Sequence, residues 1–251
     1  MKKKYRRLYF IFIALVTLVA IPLLLLYNTG YRWDWSKNKI IKTGSLSANV
    51  LPKDAKLYIN DELRSSNAPI LINNLMPGEY KISYQKDGYA SWEKKLLIES
   101  KKTTFATNII LFKSNQPQKI RKENFPLPAP EETVIIENIN QEIKNSSFNQ
   151  NKDKVLFYND FEIWSYNLQD ETKTLITRQS EMINKALWLT DYYIIYSEKD
   201  KIKAIELDSR DQQQTYVLTE ATAPKNLSLD KKNKTLYFQS DNSYWQLNLM
   251  D

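Results

Sequence analysis

An all-β ectodomain carried on one N-terminal transmembrane helix is the fold class this sequence predicts. Three observations lead there. A single uncharged apolar run, Leu8 to Tyr27, lies near the N-terminus. Most of the chain beyond that run alternates apolar and polar residues with period two between turn signals, with no 3.6-residue periodicity. The composition also favours pleated sheet, with 16 Tyr, 6 Trp and 9 Phe against 4 Gly.

The apolar run reads LYFIFIALVTLVAIPLLLLY. At about 1.5 Å per residue, a helix of this length reaches roughly 30 Å, the hydrocarbon thickness of a bilayer. A cleaved secretory signal would have an apolar core of about 7–15 residues followed by a small-residue cleavage site. The bulky stretch Leu23 to Tyr27, with no A-x-A pattern after it, favours an uncleaved anchor. Lys2, Lys3, Lys4, Arg6 and Arg7 precede the run, and Arg32 and Lys37 are the first basic residues after it. Residues 1–7 are therefore expected to stay in the cytoplasm, and the mass after the helix to be extracytoplasmic. Tyr5 and Tyr9 at one end, and Tyr27, Tyr31, Trp33 and Trp35 at the other, fit interfacial aromatic belts. Pro22 is tolerated within a lipid-embedded helix.

The charge distribution argues against nucleic acid. The formal net charge is +7, but setting aside the five N-terminal residues leaves 31 basic residues against 29 acidic ones. No clustered basic footprint remains. The chain has neither Cys nor His. Thiol nucleophiles, disulfides, Cys/His zinc sites and His-based triads are excluded.

Beyond Gly44 the alternation is regular. Leu46, Ala48 and Val50 alternate with polar neighbours, Ala55, Leu57 and Ile59 do the same, and Asn60-Asp61 makes a turn. Ile70 to Ile72, then Tyr80, Ile82 and Tyr84, then Trp92 to Ile98 and Thr103 to Phe112 supply further strands, with Pro77-Gly78 and Asp87-Gly88 as turns. This predicts a small antiparallel β-sandwich. Gly78 and Gly88 are expected at positive φ. Tyr80, Tyr89 and Trp92 are large enough to fill its core. The competing reading makes Tyr84, Tyr89 and Trp92 a sugar-stacking platform.

The order Asn49-Val50-Leu51-Pro52, Ala55 to Asn60, Ala68-Pro69, Leu75 to Tyr80 and Lys86 to Tyr89 resembles the PEGA domain. That resemblance covers residues 43–113 and implies a β-sandwich module of the kind found on bacterial and archaeal surfaces.

Residues 114–132 hold Pro117, Pro126, Pro128 and Pro130 and read as a semi-rigid spacer. An internal repeat comes next. Leu156-Phe157-Tyr158, Ile194-Ile195-Tyr196 and Leu236-Tyr237-Phe238 recur at spacings of 38 and 42 residues. Leu175-Ile176-Thr177 and Val217-Leu218-Thr219 recur 42 apart. A four-strand unit of about 40 residues is the pattern of a propeller blade. Residues 133–251 therefore resemble TolB-like or WD40-like blades, although the repeat carries no Gly-His or Trp-Asp dipeptide. About two and a half blades fit, too few to close a ring. The last strand, Tyr244 to Leu249, is expected to leave an open edge, and Thr133 to Glu137 to form a strand at the other end. A homodimer joined through these propeller edge strands is one way to cover them.

Little else suggests chemistry. Ser36-Lys37-Asn38-Lys39 and Ser91-Trp92-Glu93-Lys94 fit S-x-x-K but lack the helix such sites use. Asp160 with Glu162, and Glu198 with Asp200, fall near blade turns and match no metal cage. Asn145, Asn226 and Asn233 begin glycosylation-type triplets that an Asn-rich chain supplies by chance. The expectation is no catalytic residue, no metal site, no cofactor site and no enzyme.

The division expected is a cytoplasmic tail 1–7, a transmembrane helix 8–27, a juxtamembrane segment 28–42, a PEGA-like β-sandwich 43–113, a linker 114–132 and incomplete β-propeller-like blades 133–251. The function expected is that of a membrane-anchored binding or structural protein of the cell envelope. Its partners would be the lipid bilayer and an envelope protein or glycan, with no nucleic acid. The alternatives are a glycan-active envelope enzyme and the ectodomain of a signalling assembly.

Overall fold

The computed structural model describes residues 3–35, 37–126, 145–232 and 234–250. It begins with helix α1, Lys3–Asn28, in which Tyr5–Asn28 is long and apolar enough to cross a membrane and is not buried by the other described residues. The helix ends at Gly30, whose φ of 85° suits the left-handed terminus that glycine adopts at least cost. Arg32 completes the end. Its Nη1 donates to the carbonyls of Tyr27 (2.6 Å) and Tyr31 (2.9 Å), and its guanidinium lies 3.7 Å from the Tyr27 ring centroid. A hairpin comes next, β1 (Tyr31–Asp34) antiparallel to β2 (Lys39–Lys42).

Seven strands form the next unit: β3 (Gly44–Leu51), β4 (Lys56–Ile59), β5 (Glu62–Ser65), β6 (Ile70–Leu75), β7 (Gly78–Gln85), β8 (Trp92–Ile98) and β9 (Thr103–Ile110). They make two sheets, ordered β6-β3-β9 and β5-β4-β7-β8. The period-two pattern places Leu46, Ala48 and Val50 inward from the first sheet and Leu57, Ile59, Ile82, Trp92, Leu96 and Ile98 inward from the second. Asn60 and Asp61, at φ of 50° and 65°, make the expected tight turn between β4 and β5.

Two expectations need correction. The sandwich is not wholly antiparallel, because β3 runs parallel to β9, with Ser47 opposite Phe105. Gly78 is not at positive φ. It opens β7, directly after Met76 and Pro77, and a Cβ there would meet nothing within 4 Å. Gly88 does have positive φ, 78°. At Gly44 a Cβ would lie 2.3 Å from the Glu99 carbonyl oxygen, so a side chain there would force the backbone to shift.

The remaining strands are β10 (Gln118–Ile120), β11 (Asn145–Phe148), β12 (Lys154–Tyr158), β13 (Glu162–Asn167), β14 (Lys173–Arg178), β15 (Ile183–Thr190), β16 (Tyr193–Glu198), β17 (Lys201–Glu206), β18 (Thr215–Glu220), β19 (Lys225–Asp230), β20 (Thr235–Ser240) and β21 (Ser243–Asn248). They form three four-stranded antiparallel sheets. Two are meanders, β11-β12-β13-β14 and β15-β16-β17-β18, and the third is ordered β10-β21-β20-β19. The open edge expected at Tyr244 to Leu249 is a further correction. The segment read as a spacer supplies β10, which pairs with β21 through Gln118–Gln246, Lys119–Trp245 and Ile120–Tyr244. The strand expected at Thr133 to Glu137 lies outside the described residues.

One hydrophobic core joins the sandwich to the repeat sheets. It runs from Leu46, Leu57 and Trp92 of the sandwich to Tyr193, Tyr216, Phe238 and Leu249 of the repeats. Phe112 contacts Tyr193 and Tyr216, with ring centroids 5.7 and 5.1 Å apart, and Lys113 N–H donates to the Leu249 carbonyl at 2.9 Å. A second core, including Leu156, Ile163, Trp188 and Ile194, lies between the first two repeat sheets.

Candidate functional site

A dense polar constellation lies at the seam between the sandwich and the repeats. Strand β8 directs Trp92, Lys94, Leu96 and Ile98 inward at every second position. Lys94 is thereby placed among apolar neighbours, where a charge needs a partner. Strand β17 supplies it. The fully buried Lys94 Nζ lies 2.6 Å from Glu206 Oε1, whose side chain is 4% exposed. Lys94 Nζ also donates to the carbonyls of Asp208 (2.5 Å) and Arg210 (3.0 Å). Glu206 Oε2 accepts from Trp92 Nε1 at 3.0 Å, and its Oε1 from the Gln214 backbone N–H at 2.9 Å. Every polar atom of the pair is thus engaged across the seam.

Further bonds surround this pair. Lys95 N–H donates to Asp211 Oδ2 at 2.7 Å, Arg210 Nη2 to the Phe105 carbonyl at 2.8 Å, and Gln214 Nε2 to the Glu93 carbonyl at 3.0 Å. Burial pushes the Asp208 carboxyl upward, but hydrogen bonds from Arg210 and the charges of Lys94 and Arg210 outweigh it and hold Asp208 below its usual value. Burial raises Tyr193 well above the ordinary tyrosine value, and the Glu206 charge adds to that; Tyr216 is raised for the same two reasons. These are properties of a locked interface. No group here combines exposure with an unengaged proton donor or acceptor in the manner of a general acid or base.

The residues singled out from sequence are not brought together. Lys94 of the second S-x-x-K is consumed by Glu206, and Ser36 of the first lies outside the described residues. Glu162 is bound by Arg178 and by Trp164 Nε1, which hold its carboxyl below the usual range. Glu198 is buried and paired with Lys203. The sugar-stacking platform is corrected as well, since Trp92 and Tyr84 are each 1% exposed and sit in the core. Tyr89 remains half-buried beside an open cleft of about 520 Å³, where Lys86 Nζ lies 5.0 Å from its ring centroid and 2.7 Å from Asp54 Oδ1. A second cleft, about 390 Å³, is lined by Asp200, Glu220, Phe238, Asp241 and Trp245. No group of three or more acidic side chains among the described residues is placed to hold a metal ion.

Sequence reasoning missed the seam, although one signal was present. Lys94 breaks the apolar parity of β8, and Glu206 breaks that of β17. A charge at an inward position implies a buried partner, although neither strand's pattern says which.

Residues 43–115 match the PEGA domain. The Trp92 and Lys94 side of the seam therefore belongs to the PEGA region, and the Glu206 side to the repeats. No curated protein matches the chain in sequence. Among solved structures, a protein described as a 6-phosphogluconolactonase from Bacteroides uniformis is 11% identical, with 84% of each chain covered and a TM-score of 0.34. The extracellular domain of a hybrid two-component system from B. thetaiotaomicron is 12% identical, with 86% of this chain and 31% of that chain covered and a TM-score of 0.35. Scores of this size establish neither a common fold nor a common activity.

Proposed function

We propose that the protein is a membrane-anchored, non-enzymatic binding or structural component of the cell envelope. In this reading α1 spans the membrane with residues 1–7 in the cytoplasm. The PEGA region stands at the outer surface, and the three four-stranded sheets form an arc of propeller-like blades that meets an envelope protein or glycan. The observation that carries the reading is the shared core and its buried Lys94–Glu206 pair. It makes one body of the sandwich and the repeats, so the repeat sheets are held at a set distance and orientation from the PEGA region. Rigid presentation of a surface is what a binding scaffold needs, and it lowers the ordering cost of association. Crosslinking in intact cells, followed by purification through the full chain, tests the proposal. An envelope protein or glycan should be recovered with the wild type and reduced with Asp200→Lys/Asp241→Lys, which reverses charge at the cleft between the repeat sheets. Equal recovery would remove that cleft from the partner surface. Turnover of a glycan by the purified protein would overturn the non-enzymatic reading.

A further inference from the structure

The hairpin β1–β2 forms a sheet of its own, separate from the sandwich and repeat sheets, and one of its faces is left largely uncovered by the other described residues. Its register sets Trp33 opposite Ile40 and Tyr31 opposite Lys42. Side chains alternate across a strand, so Tyr31, Trp33, Ile40 and Lys42 share that face. Trp33 is 43% exposed, Ile40 51% and Trp35, in the turn, 86%. Trp33 and Trp35 contact edge to face, with centroids 6.1 Å apart, and Lys42 Nζ lies 5.8 Å from the Tyr31 ring centroid. Aromatic rings with cationic tips around them are the side chains that partition to the headgroup layer.

The hairpin is also fixed in place. Arg32 ties its first strand to the last turn of α1, and Thr43 closes its base, where N–H and Oγ1 donate to the Gly30 carbonyl at 2.9 and 2.8 Å. Ser100 Oγ donates to the Lys42 carbonyl at 2.7 Å, joining the hairpin to the PEGA region. Strands of four residues are about 14 Å long, so the aromatic face cannot travel far from the helix end. Lys37 and Lys39 lie in the hairpin, and Lys101 and Lys102 line a cleft with Lys42 at the hairpin's base; Glu99 pairs with Lys102, and Asp34 accepts from the Lys37 backbone N–H.

We propose that this hairpin lies on the outer headgroup layer of the membrane, with Trp33, Trp35 and Ile40 inserted at the interface, and so sets the tilt of the whole ectodomain. The proposal rests on the reading of α1 as a membrane span and adds a second lipid contact to it. The partner is the lipid surface itself, argued from continuity with the exposed apolar helix that ends at Asn28, just before β1.

The test uses the full chain in nanodiscs containing phosphatidylcholine and phosphatidylglycerol, with lipids brominated near the carbonyl end of the acyl chain. Trp33 and Trp35 are two of six tryptophans, so about a third of the emission should be quenched. That quenching should vanish in Trp33→Ser/Trp35→Ser, whose circular dichroism should match the wild type. Trp33→Leu/Trp35→Leu should keep the ectodomain tilt, read by distance from a surface label to the bilayer, and the serine variant should lose it. Equal quenching of wild type and serine variant would overturn the proposal. So would tryptophans shielded from aqueous acrylamide but untouched by the lipid quencher, which would assign the face to a protein partner. Failure of the chain to enter nanodiscs at all would instead sink the reading of α1.

Discussion

Glu206→Ala is the substitution whose consequence the seam specifies most closely. It removes the carboxylate that lies 2.6 Å from a fully buried ammonium, and with it the acceptor for Trp92 Nε1 and the Gln214 backbone N–H. Lys94 keeps two carbonyl partners, but the nearest remaining carboxylate, Asp208, is 3.8 Å away. Breaking a buried pair by removing one partner costs about 3–5 kcal/mol. In a chain of this size each kcal/mol lowers Tm by about 2–4 °C, so the loss should be about 6–20 °C. Glu206→Gln keeps an acceptor for Trp92 and should fall between the variant and the wild type. Thermal unfolding of the full chain in micelles, followed by tryptophan fluorescence and by far-ultraviolet circular dichroism, is the assay. Both probes should report one coincident transition, because the sandwich and the repeats share a core. A loss below about 1 kcal/mol, within the range of an exposed ion pair, would refute the reasoning. Two separated transitions in the wild type would refute the shared core.

The same contacts specify other perturbations. Gly44→Ala should destabilise by about 1–3 kcal/mol, because its Cβ would press on the Glu99 carbonyl, whereas Gly78→Ala should leave Tm unchanged. Tyr216→Phe removes a buried hydroxyl with no hydrogen-bond partner among the described residues, and should be neutral or stabilising in the same melts. Asp208 has its folded pKa held below the unfolded value of about 3.9, so its contribution is fully present above that pH and is lost as pH falls through the folded pKa. Unfolding measured against pH should show this loss in the wild type, and Arg210→Gln should shrink it.

Much of this architecture was legible in the residues. The apolar helix, the strands at Leu46–Val50 and Trp92–Ile98, and the turns at Asn60-Asp61 and Gly88 come from period, length and left-handed turn chemistry. What escaped was pairing. Period-two alternation states which side chains face the core but not which neighbour a strand takes, so the parallel β3–β9 pair was invisible. The Pro77-Gly78 turn misled because the connection from β6 to β7 is only Met76 and Pro77, and Gly78 is already the first residue of β7, without positive φ. Strand β10 is three residues long between prolines and has no pattern of its own; its assignment comes from β21. The seam was half legible, since Lys94 and Glu206 each break an apolar parity, yet nothing in either strand names the other.

The central claim is a chain anchored by α1 with its ectodomain outside the cytoplasm, and single-cysteine labelling tests it most directly. The chain has no native Cys, so Tyr5→Cys and Lys199→Cys each report one position. Lys199 has a side chain 70% exposed in the repeats, and Tyr5 lies at the N-terminal end of α1, on the side assigned to the cytoplasm. With a membrane-impermeant maleimide on intact protoplasts, Lys199→Cys should label at once and the labelled chain should remain in the membrane pellet. Tyr5→Cys should label only after lysis. Labelling of Tyr5→Cys with Lys199→Cys protected, or release of a labelled ectodomain into the supernatant, would contradict the account.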